Sequence, residues 1–86
     1  MLSDTEILEI EVRANAARPA PWVSYIEGRD HRGGSSFIMI ANGELDDLEA
    51  PKLPDADQDF IAHARQDIPK LIEEVRRLRA ELASKT

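Results

Sequence analysis

The C-terminal third of this chain carries an apolar repeat that needs a covering partner. Ile68, Leu71, Val75, Leu78 and Leu82 follow one another at spacings of three, four, three and four residues. That rhythm is the a/d pattern of a helix whose apolar stripe packs on a partner. Because the stripe spans only two heptads, it predicts docking on another element of the chain or on a second subunit.

The residues before the stripe predict a separate helix that stops near Pro69. Asp55, with Gln58 three residues later, is a candidate capping box for a helix from about residue 56 to 66. Pro69 has no N–H to donate to the carbonyl of Arg65, which predicts a break and a restart into the striped helix. Two helices within residues 55–84 are therefore expected.

The N-terminal residues 1–17 predict another helix. Ser3 and Glu6 fit a capping box, and Ile7, Ile10 and Ala14 recur at helical spacing. A competing alternation of apolar residues at 8, 10 and 12 with glutamates at 9 and 11 is typical of a strand. The cap and the alanines favour the helix.

Two prolines, Pro19 and Pro21, end this helix and precede strand-forming residues. Residues 22–26 and 37–41 are rich in β-branched and aromatic side chains, and Asn42 and Gly43 follow as a turn signal. They predict a two-stranded antiparallel hairpin over residues 22–41. The whole chain, residues 1–86, is thus expected to be one α+β domain.

The net charge of −6 comes from one segment. Residues 44–59 contain seven acids and one base, whereas the other segments nearly cancel. Such a charge block is typical of a solvated loop or an interaction surface, and Pro51 and Pro54 predict irregular structure over residues 44–54.

Composition excludes several classes of function. The absence of cysteine removes thiol catalysis and cysteine-bound zinc, and no apolar run is long enough for a membrane span. The N-terminus has no signal-peptide pattern, so a cytoplasmic protein is expected. An acidic chain is not expected to bind DNA or RNA. We also expect no metal, no cofactor and no catalytic residues, with His31 and His63 as surface residues.

The loop between the predicted strands offers one hint of a small-molecule site. Its glycines could present backbone N–H groups to a phosphate, with arginines nearby and an aromatic side chain stacking on a base. The candidate ligand-binding residues are Trp22, Tyr25, Arg29, Arg32, Gly33 and Gly34. The alternative is that Gly33 and Gly34 only make the connection flexible.

A second set of residues is expected to form the core or a subunit interface. These are Ile7, Ile10, Trp22, Val23, Tyr25, Phe37, Ile38, Ile40, Phe60, Ile61, Leu71, Val75 and Leu78. The end of the stripe, at Leu78 and Leu82, is expected to contact another subunit. Asp46, Asp47 and Glu49 in the acidic loop are candidate contacts to a partner protein.

Two separated stretches resemble a known family. Residues 16–22, Ala-Ala-Arg-Pro-Ala-Pro-Trp, are similar to an Ala-Thr-Pro-Gly-Pro-Trp signature, with Arg18 and Ala20 in place of the threonine and glycine. Residues 55–65, with Phe60-Ile61-Ala62, and the striped segment after them are similar to an Asp-Ala-x-Phe-Ile-Ala stretch and a leucine-rich helix. This pair resembles the Ead family of lambdoid phage early-region accessory proteins. The resemblance implies a non-essential phage or prophage protein in the host cytoplasm, without assigned enzymatic activity.

Two functions follow as hypotheses. The first is a homo-oligomeric interaction protein that modulates or inhibits a host factor, for example a factor of antiphage defence. The second is a sponge-type binder that sequesters a nucleotide signal of antiphage defence in a pocket between subunits. An enzyme is the least favoured class.

Overall fold

The computed structural model describes residues 1–50 and 52–85, and Pro51, expected in the acidic loop, lies outside them. Within these residues, two α-helices accompany three strands and a short 3-10 turn at Ala41–Gly43. The elements are α1 Asp4–Ala16, β1 Trp22–Tyr25, β2 Phe37–Ile40, β3 Leu45–Glu49 and α2 Asp55–Ser84. The α+β class is confirmed, but the two-stranded hairpin and the two C-terminal helices were wrong in detail.

α1 begins with the predicted capping box. The Ser3 hydroxyl accepts a hydrogen bond from the Glu6 N–H at 3.0 Å, and the Glu6 carboxylate accepts one from the Ser3 N–H at the same distance. The hydrogen bond from the Ser3 N–H to the carboxylate lowers the pKa of the Glu6 carboxyl. The helix, rather than the competing strand, forms because Ile7 is then buried against α2, while Leu8 and Val12 stay exposed.

The sheet is antiparallel with the strand order β1-β2-β3 in the described residues. The predicted pairing of β1 with β2 is confirmed, with Trp22 opposite Ile40. The prediction of an acidic loop over residues 44–54 was wrong in part, because residues 45–49 form β3. Leu45 lies opposite Ile40 and Leu48 opposite Ile38, with a register irregularity between. That irregularity hides the period-two pattern of a strand in the sequence. Asp also has a low β-propensity, so β3 forms because its pairing with β2 supplies backbone hydrogen bonds.

α2 continues through Pro69 as one 30-residue helix, so the predicted break was wrong. Residues before Pro69 contact the sheet, and residues after it contact α1. A break at Pro69 would lose either the contacts with the sheet or those with α1. Together these contacts offset the cost of about 3 kcal/mol for a proline inside a helix. The predicted cap was wrong too, since Pro54 occupies the N-cap position without a side-chain hydrogen bond.

The core lies where α2 crosses the sheet. Ile38, Ile40, Ala41 and Ala62 form its centre, and the half-buried Trp22 packs against it. The other buried apolar residues of the described chain are Ile7, Ile26, Ala50 and Ile72. Of the residues expected in the core or an interface, four lie outside this core and are exposed, namely Phe60, Ile61, Leu71 and Leu78.

Two glutamines of α2 hold the helix on the sheet. The side-chain amide nitrogen of Gln58 donates to Ser24 Oγ and to the carbonyls of Tyr25 and Phe37 at 2.9–3.2 Å. The amide of Gln66 accepts from the Trp22 N–H at 2.8 Å and donates to the Trp22 carbonyl at 3.1 Å. Gln66 therefore continues the ladder at the outer edge of β1, which would otherwise present unpaired backbone groups.

The molecule is elongated because α2 extends beyond the sheet and α1. Its extents are 58 × 22 × 18 Å, and its radius of gyration is 16.4 Å. A compact chain of this length would have a radius of gyration of about 12 Å. The C-terminal turns of α2 consequently have little of their own chain around them.

Replacing Gln58 with leucine should destabilise the fold while keeping the side-chain volume. Gln58 is fully buried, so Gln58→Leu leaves the Tyr25 and Phe37 carbonyls without its amide. We expect the free energy of unfolding, measured by urea denaturation, to fall by about 2–4 kcal/mol. The control His63→Leu, at an exposed position of the same helix, should change it by less than about 0.5 kcal/mol.

Candidate functional site

α1 and α2 lie antiparallel and are tied together by polar side chains along their length. Arg79, late in α2, forms an ion pair with Asp4 at 2.8 Å and donates to the Leu2 carbonyl. Arg76 pairs with Glu11 further along α1. The hydrogen bond from Arg76 lowers the pKa of the Glu11 carboxyl. These contacts hold α1 along α2, and a groove lies between the two helices.

The groove consists of two adjoining cavities between α1 and α2, which we call the apolar groove. One cavity, of about 300 Å³, is lined by Leu2, Ile7, Ile10, Ile68, Leu71, Ile72 and Val75. The other, of about 310 Å³, reaches Trp22, Ile61 and Ala64, with Arg13 and Arg65 at its margin. Ile10 and Ile68 border both cavities, so the groove is continuous.

The α2 side of the groove belongs to a longer unpaired surface. We call it the apolar face, consisting of Ile61, Ala64, Ile68, Leu71, Val75, Leu78 and Leu82. The exposed fraction is 59% for Leu71, 49% for Leu78 and 68% for Leu82. Phe60, beside the face, is 74% exposed. Isolated exposed leucines are ordinary, whereas a continuous apolar strip marks an interaction site.

Charged residues border the apolar face without interrupting it. One flank carries Asp67, Glu74 and Glu81, and Arg77 pairs with both glutamates on the outer side of the helix. The opposite flank carries Arg65 and Arg79, which are directed to α1 and the segment after it. An apolar strip between an acidic and a basic flank is the arrangement of a helix–helix interface.

The predicted ligand-binding residues are divided among separate parts of the molecule. Arg29 makes two hydrogen bonds to the Asp59 carboxylate, at 2.8 and 3.0 Å, and pairs with Asp30 at 2.7 Å. Its guanidinium therefore ties the loop after β1 to the start of α2. Arg32 is exposed and lies three residues along the same loop.

Gly33 and Gly34 line a different cavity, of about 270 Å³. Its ionisable walls are His31 and the two carboxylates of Asp47 and Glu49. No arginine or lysine lines it in the described structure. The imidazole of His31 lies 5.3 Å from the Phe37 ring, and its buried Nε2 has no hydrogen-bond partner. This cavity therefore brings the two glycines together with carboxylates rather than with cations.

The two aromatic candidates have structural contacts of their own. Trp22 borders the apolar groove and donates its indole N–H to the Arg18 carbonyl at 3.2 Å. Tyr25 stacks on Phe37, with ring centroids 5.2 Å apart. Neither ring lines the cavity of Gly33 and Gly34.

The predicted partner-binding acids lie on β3, at the opposite edge of the sheet from β1. All five residues of this strand are exposed, including Asp46, Asp47 and Glu49. The Asp46 carbonyl accepts a hydrogen bond from Arg18 at 2.8 Å. The structure thus separates the acidic strand from Leu78 and Leu82, which lie near the end of α2.

Two features of the structure that were not predicted are the sheet-facing side of α2 and the apolar groove, and each has a partial pattern in the sequence. Gln58, Ala62 and Gln66 recur every four residues and share the face of α2 that meets the sheet. That spacing is visible in the sequence, but two glutamines do not indicate a buried face. The apolar repeat marks the α2 side of the apolar groove in the sequence, whereas the groove itself depends on how α1 lies along α2.

Similarity to known proteins gives no indication of a site in this chain. No protein-family model matches the chain, and no curated protein or solved structure is significantly similar to it. Among the described residues, no helix combines the length and apolarity needed to cross a bilayer. Nor do three histidine or carboxylate side chains in that part of the chain come together to hold a metal ion.

The contact between Arg29 and Asp59 should make stability sensitive to acid. Hydrogen bonds from Arg29 lower the pKa of Asp59 from 3.8 to about 2. A depressed folded-state pKa contributes stability above about pH 4, which is lost as the pH falls towards about 2. Asp59→Asn should therefore unfold with a shallower pH dependence in this window, measured by urea denaturation. Equal slopes for the two proteins would contradict the role of this pair.

Proposed function

We propose that the protein acts by binding rather than by catalysis, as a homo-oligomeric interaction protein assembled through the apolar face of α2. The observation that carries the proposal is the exposure of Leu71, Leu78 and Leu82 in a continuous strip. Since the strip and the adjoining groove are almost wholly apolar, association would remove from water a surface that the monomer leaves uncovered.

The elongated shape supports the same proposal. The ion pairs between α1 and α2 are made by Arg76 and Arg79, and Arg65 contacts the segment after α1. Leu82 lies nearly one turn beyond Arg79, where the chain provides little cover. A second copy is present whenever the protein is, which makes self-association the simplest way to cover this surface.

The partner of such an oligomer is proposed to be a host protein, as the resemblance to phage accessory proteins suggests. β3 is the natural surface for it, because this acidic strand is exposed and lies away from the apolar face. A basic partner would be steered towards it by charge. Reversing Asp46, Asp47 and Glu49 to lysine should then abolish capture of that partner at low salt, whereas unchanged capture would exclude β3 as the interface.

The nucleotide-binding alternative stays a prediction with less support from the geometry. An anionic ligand needs cations and N–H groups in one place. Arg29 is paired with two carboxylates, whereas Gly33 and Gly34 share their cavity with Asp47 and Glu49. Such walls would repel a phosphate.

Placing a charge in the apolar face should dissociate the oligomer. Leu71→Glu would bury a carboxylate from each copy and remove two leucines from the contact. Burying one leucine is worth about 1.5–3 kcal/mol, so we expect association to weaken by roughly 100-fold or more. Sedimentation equilibrium should give a multiple of the 9.6 kDa chain mass for the wild type and the monomer mass for the variant.

Leu8→Glu is the matched control. Leu8 is 52% exposed, close to the 59% of Leu71, but lies on α1 outside the residues that line the apolar groove. This variant should keep the mass of the wild type. A wild-type protein that stays monomeric at high concentration would overturn the proposal.

A further inference from the structure

We propose that α2 pairs with α2 of a second copy in parallel and in register, as a two-stranded coiled coil from Ile61 to Leu82. The inference rests on the proposed self-association and adds the identity, direction and register of the contact.

The seven residues of the apolar face occupy successive a and d positions of the heptad pattern. Ile61, Ile68, Val75 and Leu82 take the a positions, and Ala64, Leu71 and Leu78 take the d positions. Since Gln58 and Gln66 face the sheet, they lie outside this seam. β-Branched residues at a with leucine at d favour two parallel strands over trimers or tetramers.

The flanking charges favour the parallel direction. The acidic flank of Asp67, Glu74 and Glu81 occupies g positions, and Arg65 and Arg79 occupy e positions. Parallel helices place g beside e of the partner, which brings Glu74 to Arg79 of the partner subunit. Antiparallel helices would place the acidic flank against its own copy, which is unfavourable.

α1 leaves room for this contact. It lies on the side of α2 that carries Ile72, Arg76 and Arg79, and it leaves Leu71, Leu78 and Leu82 exposed. Arg79 already pairs with Asp4, whose side chain is 95% exposed. The guanidinium has several donors, so it can also donate to Glu74 of the partner subunit while it keeps α1 in place.

The available area meets the requirement of a stable dimer. The exposed parts of Phe60, Ile61, Ile68, Leu71, Leu78 and Leu82 amount to something on the order of 600 Å² per chain, judged from their exposed fractions. Covering this surface completely in a symmetric pair, with Phe60 at its margin, would bury about 1,200 Å², the lower limit for specific interfaces. Out-of-register pairing would leave part of this surface in water.

Single cysteines test direction and register, because the native chain has none. In the parallel dimer, Leu82→Cys places the two new thiols opposite each other at an a position, within reach of a disulfide. Mild oxidation should therefore give a species of twice the chain mass on a non-reducing gel. Ser84→Cys, two residues away and on the outer side of the helix, is the control and should remain largely uncross-linked.

An equimolar mixture of Ile61→Cys and Leu82→Cys tests the opposite direction. These positions are about 32 Å apart along one helix, so only antiparallel pairing brings them together. The parallel dimer predicts that each variant cross-links with itself and that the mixed species, formed by exchanged subunits, does not exceed the statistical share. The reduced variants are first checked by sedimentation to have the wild-type mass.

The outcomes separate the two proposals. A monomeric wild type overturns both. An oligomer in which the Leu82→Cys variant fails to cross-link with itself, or in which the mixed pair predominates, overturns the parallel register and leaves self-association intact. A mass of three or four chains likewise contradicts the two-stranded coiled coil only.

Discussion

The hydrogen bonds from two glutamine side chains of α2 to the backbone of the sheet hold the rest of the structure in place. Gln58 satisfies carbonyls of both β1 and β2, and Gln66 pairs with both backbone groups of Trp22 at the edge of β1. Each buried carbonyl would be costly without a partner, so the position of the helix on the sheet is narrowly defined. Ala62 lies between them and lets the helix approach closely enough for these bonds.

The position of α2 on the sheet determines which side of the helix remains exposed. With Gln58, Ala62 and Gln66 against the sheet, the helix presents Ile72, Arg76 and Arg79 to α1. The remaining apolar residues then form one edge of a groove that this chain does not fill. A small domain has little apolar surface to spare, so a long uncovered strip supports the proposed association with a second copy.

The sheet and the helices therefore present surfaces of different chemical character. β3 presents carboxylates at one edge of the sheet, whereas α1 and α2 present an apolar groove elsewhere. Arg29 connects the sheet to α2, because it pairs from the loop after β1 with Asp59 near the start of the helix. Several of the basic residues that an anionic ligand would require, among them Arg29, Arg76 and Arg79, are committed to such internal contacts.

Local patterns in the sequence determined several elements of the fold. The capping box at Ser3 and the helical conformation of the apolar repeat from Ile68 to Leu82 depend on neighbours in sequence. The strand-forming residues 22–25 and 37–40 pair as β1 and β2, as predicted. The remaining features depend on tertiary contacts. β3 forms because β2 offers it a hydrogen-bonded edge, and α2 passes through Pro69 because contacts on both sides of that residue outweigh a lost hydrogen bond. The roles of Gln58 and Gln66 were hidden for the same reason, since a polar side chain is buried only where a distant backbone supplies its partners.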